Sequence, residues 1–184
     1  QEWLEKWIWP LEKHLTGRDI YVGALLTAVE SIMGGTTTVN SMYHYAEGGN
    51  EAQAFAEAGL RGIIGHVCFS WRKDEDRKAL RTLAQGWHSA ADGLIRVSVD
   101  PHAAYTVDPD YMRELRAITD ELNEKYGSPD APIMQHMHIA ETGDETEKVS
   151  RAFNISLKGG VAEYLDSLGV LRDDTIAAHC VALT

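Results

Sequence analysis

The strongest constraint on the fold is the order in which apolar patterns alternate along the chain. Five times, a stretch with apolar residues at helical steps gives way to a β-branched or nearly continuous apolar run of strand length. The clearest helix covers residues 18–33, with Val22, Leu25, Leu26, Val29, Ile32 and Met33 on one face and Gly34-Gly35 closing it. A strand at 36–43 follows directly. Helix 51–58 leads to strand 61–69, and helix 76–91 leads to strand 94–99. Asp108-Pro109 opens a helix that buries Met112, Leu115, Ile118 and Leu122, stops at Tyr126-Gly127, and leads to strand 133–140. A helix near 159–168 precedes the last strand, 175–181. The run Leu94–Val99 is apolar almost throughout, as expected of a strand covered on both faces. Connections of this length join parallel strands. No Gly-rich phosphate loop follows any strand, because Gly34-Gly35 precedes one and Gly48-Gly49 lacks the spacing. The pattern therefore predicts α/β structure, and part of a (β/α)₈ barrel over a nucleotide-binding doubly wound sheet.

Composition narrows the function. The 184 residues suffice for one domain, read as 1–184, with a sizeable core. Acidic residues outnumber basic ones 28 to 17, for a formal charge of −11, which argues against a nucleic-acid polymer as partner. Cys68 and Cys180 stand far apart in apolar segments, with no C-x-x-C pair, and read as reduced core residues of a cytoplasmic protein. No stretch approaches the ~18 apolar residues of a membrane span, and amphipathic Gln1–Lys6 does not resemble a signal peptide. Trp3, Trp7 and Trp9 cluster around Pro10, which predicts a short helix, a break and a new turn at Leu11-Glu12. Such a cluster reads as a lid, or as an interface in a homo-oligomer.

In a barrel, reactive groups project from the carboxyl ends of the strands. Those ends carry Tyr43-His44, Asp100-Pro101-His102, His138 with Glu141, and Ala178-His179-Cys180. So many histidines at one rim favour a metal or acid–base site. Neutral imidazole is a ligand for Zn²⁺ or Fe²⁺, and a carboxylate nearby can move protons on and off an activated water. The plainer alternative is a core histidine and a solvated glutamate. His136 shares a strand face with His138, but an H-x-H pair would have to recruit further ligands. His14, His66 and His88 read as structural.

Four motifs together carry a resemblance: His138-Ile-Ala-Glu141-Thr142, Ala178-His179-Cys180-Val181, Asp100-Pro-His102, and Trp3-Leu4…Trp9-Pro10-Leu11-Glu12. In this order they resemble the amidohydrolase superfamily, in its branch of chlorohydrolases and adenosine-derivative deaminases. The resemblance implies a (β/α)₈ barrel with a small β-domain and one divalent metal ion, Zn²⁺ or Fe²⁺. It implies His138 as metal ligand, Glu141 as proton shuttle, and His179 as the residue orienting the hydrolytic water. Glu12 and His102 would contact substrate, Glu12 at the ribose hydroxyls, and His136 matches no ligand.

The implied reaction is hydrolytic deamination of a small adenosine derivative through a metal-bound hydroxide, with nucleoside and water as the partners. 5′-Deoxyadenosine, 5-methylthioadenosine and S-adenosylhomocysteine are the candidate substrates. Chlorohydrolases and guanine or cytosine deaminases would reuse His138, Glu141 and His179, and a non-catalytic fragment or a plain α/β binding domain are the readings from other classes. By the same resemblance the chain covers roughly strands 2 to 6 of a barrel that takes about 250 residues, with the first and last strands, the β-domain and most metal ligands outside it. Asp173 and Asp174 precede the last strand and cannot replace the family's aspartate ligand. Ala182 stands where many relatives carry a second histidine, and the 65–72 region offers no arginine pair for a homocysteine carboxylate. Both departures favour smaller 5′-modified adenosines.

Overall fold

The structure, a computed structural model, describes residues 3–43 and 50–183, apart from the side chains of residues 4 and 5. Five strands form one sheet: β1 (Thr38–Tyr43), β2 (Arg61–Cys68), β3 (Ile95–Pro101), β4 (Met134–Ile139) and β5 (Thr175–His179). They lie side by side in chain order, and every neighbouring pair is parallel. A doubly wound sheet reverses its order at a switch point; an arc of a (β/α)₈ barrel does not.

The helices are α1 (Trp9–Glu12), α2 (Gly17–Met33), α3 (Glu51–Ala58), α4 (Lys73–Trp87), the single turn α5 (Ala90–Gly93), α6 (Pro109–Tyr126), α7 (Glu145–Phe153) and α8 (Val161–Ser167). Their ends follow local chemistry. Thr16 and Asp19 form a reciprocal capping box on α2, satisfying two amide groups that the first turn leaves open. Asp108 accepts from the Tyr111 N–H at the start of α6, where Pro109, having no N–H, needs no acceptor.

Register divides the sheet into two faces. Ile64, Val97, Val99, Met137 and Ile139 face the helices and share the core with Leu80, Leu83, Leu115 and Leu122. Asp100, His136 and His138 take the alternate positions on the opposite face, and just past the end of β3 the His102 ring packs beside His138. Gly65 borders that face at a close approach: a Cβ there would lie 1.7 Å from Asp100 Oδ2. Asp100 is the next-to-last residue of β3, at its carboxyl end, and is fully buried.

Several expectations are revised. The predicted break at Pro10 is instead a change of winding, from a π-helical turn (Leu4–Ile8) into α1, with Pro10 in the first turn. Helix 76–91 divides after Trp87, since Ser89, Ala91 and Asp92 adopt φ of 62°, 51° and 56°. β5 ends at His179, where φ turns to 70°, and Cys180 follows at 55°, half-buried and outside the deep core that holds Cys68. α7 has no counterpart in the predicted pattern. The apolar stripe of α2 faces outward: only Ala24 and Ala28 are buried, while Val22, Leu26, Val29, Ile32 and Met33 are 46% to 83% exposed. No helix among the described residues is long and apolar enough to cross a membrane.

Candidate active site

The carboxyl ends of β4 and β5 bring three groups to one place. Ligand atoms of His138, Glu141 and His179 all lie within 4.8 Å of one another. The His138 and His179 rings are 5.0 Å apart, and His179 Nε2 lies 3.9 Å from Glu141 Oε1. Backbone conformation creates this cluster. Ala140 adopts φ 50° directly after β4, and His179 adopts φ 70° at the end of β5. Such left-handed non-glycine residues are sterically costly and concentrate where the surrounding structure enforces them. Here Cys180 N–H donates to Ile139 O at 2.9 Å and Ala182 N–H donates to Ala140 O at 2.8 Å, tying the two strand exits together. Glu141 N–H donates to Glu145 Oε2 at 2.9 Å. Burial pushes the Glu145 carboxyl up, against the opposing effect of its bonds to the backbone at Glu141 and Ala140.

His102 adjoins the cluster. Its ring lies 5.0 Å from that of His138, and its carbonyl accepts the His138 N–H at 3.0 Å. The Thr106 hydroxyl donates to Ala103 O at 3.1 Å, so it accepts from His102 Nδ1–H at 2.9 Å. That bond places the proton on Nδ1 and leaves the Nε2 lone pair as an acceptor. Burial, with His138 adding to it, pushes His102 down to about 4, so it is neutral at physiological pH. Burial and the neighbouring His179 also depress His138. Neutral imidazole is the form that ligates metal ions. The donor set of two imidazole nitrogens and a carboxylate oxygen, gathered within 4.8 Å, therefore fits one divalent ion.

Glu12 reaches the same rim from the end of α1. It lines a cleft of about 350 Å³ with Trp9, Tyr43, Phe69, Trp71 and His102. Burial, together with a hydrogen bond to Glu12, pushes the Tyr43 phenol up to about 12. The five residues singled out in the sequence thus converge: His138, Glu141 and His179 in the cluster, Glu12 in the cleft, and His102 in contact with both. His44 lies outside the described residues. His136 stays out of the cluster; its Nδ1 lies 3.6 Å from Asp100 Oδ2 and 3.3 Å from Asn40 Nδ2. His66 is buried against Asp76 at 3.0 Å, and His88 bonds Ala131 O and the Val97 N–H, as structural residues do. Asp174 forms a salt bridge with Arg116 at 2.7 Å, away from the rim. Sequence reasoning missed Phe69, Trp71, Thr106 and Glu145; only the hydroxyl four residues beyond His102 carried a local signal.

Fold and site define an α/β-barrel protein with a metal-competent centre at the carboxyl rim. The chain belongs to the amidohydrolase family, whose model matches residues 1–184. It is 38% identical over 185 residues to the 5′-deoxyadenosine deaminase of Methanothermobacter thermautotrophicus, covering 98% of this chain and 40% of the relative. It is 35% identical over 187 residues to the 5-methylthioadenosine/S-adenosylhomocysteine deaminase of Caldanaerobacter subterraneus, covering 100% of this chain and 40% of the relative. The chain thus spans about 40% of the length of these curated relatives. Among solved structures it resembles an adenosine deaminase from Xanthomonas campestris with bound zinc, at TM-score 0.76 and 26% identity, covering 99% of this chain and 39% of the other. An atrazine chlorohydrolase from Arthrobacter aurescens shares the fold, at TM-score 0.75 and 17% identity, over 98% of this chain and 43% of the other.

Proposed function

We propose that this chain supplies the proton-transfer and substrate-binding side of a divalent-metal hydrolase that deaminates adenosine derivatives. One observation carries the reading: the His138–Glu141–His179 cluster adjoins, through His102, a cleft that contains Glu12. A plain binding domain has no need of a three-residue donor set beside its pocket.

His138 would hold the ion, Zn²⁺ or Fe²⁺, with Glu141 and His179 close enough to share its surroundings. Such an ion, when bound, lowers the pKa of a water towards ~7. The water oxygen bonds to the amino-bearing carbon of the adenine ring, the carbon–nitrogen bond breaks, and ammonia leaves. Glu141 accepts one proton from the water and passes it to the ring nitrogen, then carries the second, from the newly bonded oxygen, to the departing amine, so that a carbonyl forms as ammonia leaves. Its backbone tie to Glu145 holds it at that station. His179, on the other side of the cluster, orients the water. His102 accepts a hydrogen bond through Nε2, and the Glu12 carboxylate accepts from ribose hydroxyls. Glu12 favours a nucleoside over the chlorinated substrates of other family members.

The test uses the protein at its native length. Metal content is measured together with ammonia release from 5′-deoxyadenosine. About one divalent ion per chain, with turnover lost on chelation and regained on adding Zn²⁺ or Fe²⁺, is the expected result. Metal-free protein with full turnover would overturn it.

A further inference from the structure

α7 begins with a carboxylate that its own helix does not use. Glu145, the first residue of α7, is 2% exposed. A capping side chain bonds the open N–H groups in the first turn of its own helix. Glu145 instead reaches backwards past Asp144, and its Oε2 accepts the Glu141 N–H at 2.9 Å. It draws on the Ala140 N–H as well. Both amide groups lie outside α7, on the exit from β4. Burying a carboxylate without a paired cation is costly. Lys148, one turn further along α7, gives its ammonium to Asp144 Oδ1 at 2.9 Å and to the Thr142 hydroxyl at 3.2 Å instead. What the buried carboxylate gains is the shape of one turn.

That turn carries the reacting groups. Ala140 stands at φ 50°, which a residue with a Cβ adopts only under constraint. Its N–H is held by Glu145, and its carbonyl accepts the Ala182 N–H at 2.8 Å, from the segment just past His179. Ala140 is thereby clamped on both sides, and Glu141 follows it at once. The contacts from Glu145 through Ala140 to Ala182 fix the exits of β4 and β5 against each other. With them they fix the 3.9 Å approach of His179 Nε2 to Glu141 Oε1.

We propose that Glu145 is a positioning residue for the proton carrier: by reach and hydrogen-bond acceptance rather than by charge, it shapes the β4 exit so that Glu141 stays beside His138 and His179. The inference rests on the deaminase reading and adds to it a residue that does not itself touch substrate.

Three variants of the native-length protein separate position from charge: Glu145→Gln, Glu145→Asp and Glu145→Ala. Each is compared with wild type for kcat and KM on 5′-deoxyadenosine and for metal content. Glutamine keeps the length and an acceptor oxygen; aspartate keeps the charge but falls one methylene short. Glu145→Gln should retain most of the wild-type kcat. Glu145→Asp and Glu145→Ala should lose about 10²-fold in kcat, as a misplaced reacting group does, with KM and metal content unchanged. Aspartate suits the first turn of a helix, so the glutamine and aspartate variants decide the matter even if Glu145→Ala fails to fold. Val149→Ala removes a fully buried side chain from the same helix and should lower Tm while kcat stays at the wild-type level. Wild-type kcat in Glu145→Asp, a Glu145→Gln as impaired as Glu145→Ala, or an equal kcat loss in Val149→Ala overturns the inference while the deaminase reading stands. No ammonia from any adenosine derivative with wild type overturns both.

Discussion

α2 and α6 are similar in length and both were legible in the sequence, yet they stand in opposite environments. α6 buries Met112, Leu115, Ile118 and Leu122 against the centre of the sheet. α2 offers a comparable stripe of large apolar side chains, but seats only Ala24 and Ala28 fully, beside α3. Periodicity reports that a helix has an apolar face; it does not report what covers that face. The difference sorts the molecule into a centre around β2, β3 and β4, where burial is complete, and a flank where it is not.

Substitutions at equivalent points on the two helices should separate sharply. Leu115→Ala removes a fully buried side chain and is expected to cost about 3 kcal/mol of unfolding free energy. Leu26→Ala, at 60% exposure, should cost no more than about 0.5 kcal/mol. Urea titration of both variants measures the contrast, and equal losses would mean that α2 is covered in the folded protein.

A smaller effect comes from the start of α6. Burial raises the Asp108 carboxyl, but Lys73, the Ser70 hydroxyl and the Tyr111 N–H outweigh it and hold it at about 2. An unfolded chain would titrate this group near 3.9. Its stabilisation is therefore complete above about pH 4 and is lost as the pH falls towards 2. Asp108→Asn should lower stability by roughly 1 to 2 kcal/mol at pH 7, with the gap to wild type closing by pH 2. A gap independent of pH would contradict the assignment.

Much of the fold was readable because the strands and long helices satisfy their own local rules. The ends of α6 carry Asp108-Pro109 and Gly127, and its core face keeps helical spacing throughout. α7 escaped because its nine residues, Glu145–Phe153, are mostly polar, and Asp144 makes no side-chain cap bond. β5 was read two residues too long because nothing local announces the left-handed turn at His179 and Cys180. The site divides in the same way. His138, Glu141, His102 and His179 stand at strand ends, where the topology makes them visible. Glu12 was assigned through family resemblance alone. Phe69 and Trp71 line the cleft from a loop that the buried Asp76 of α4 holds at the Phe69 N–H, a pairing that no sequence spacing encodes.

The proposed role of Glu141 as proton carrier in a metal-dependent deamination is tested most directly by Glu141→Gln. The substitution keeps size and backbone contacts but removes the basic carboxylate. Ammonia release from 5′-deoxyadenosine should fall by about 10²- to 10⁴-fold while the metal content matches wild type. A variant that retains wild-type turnover would contradict the account.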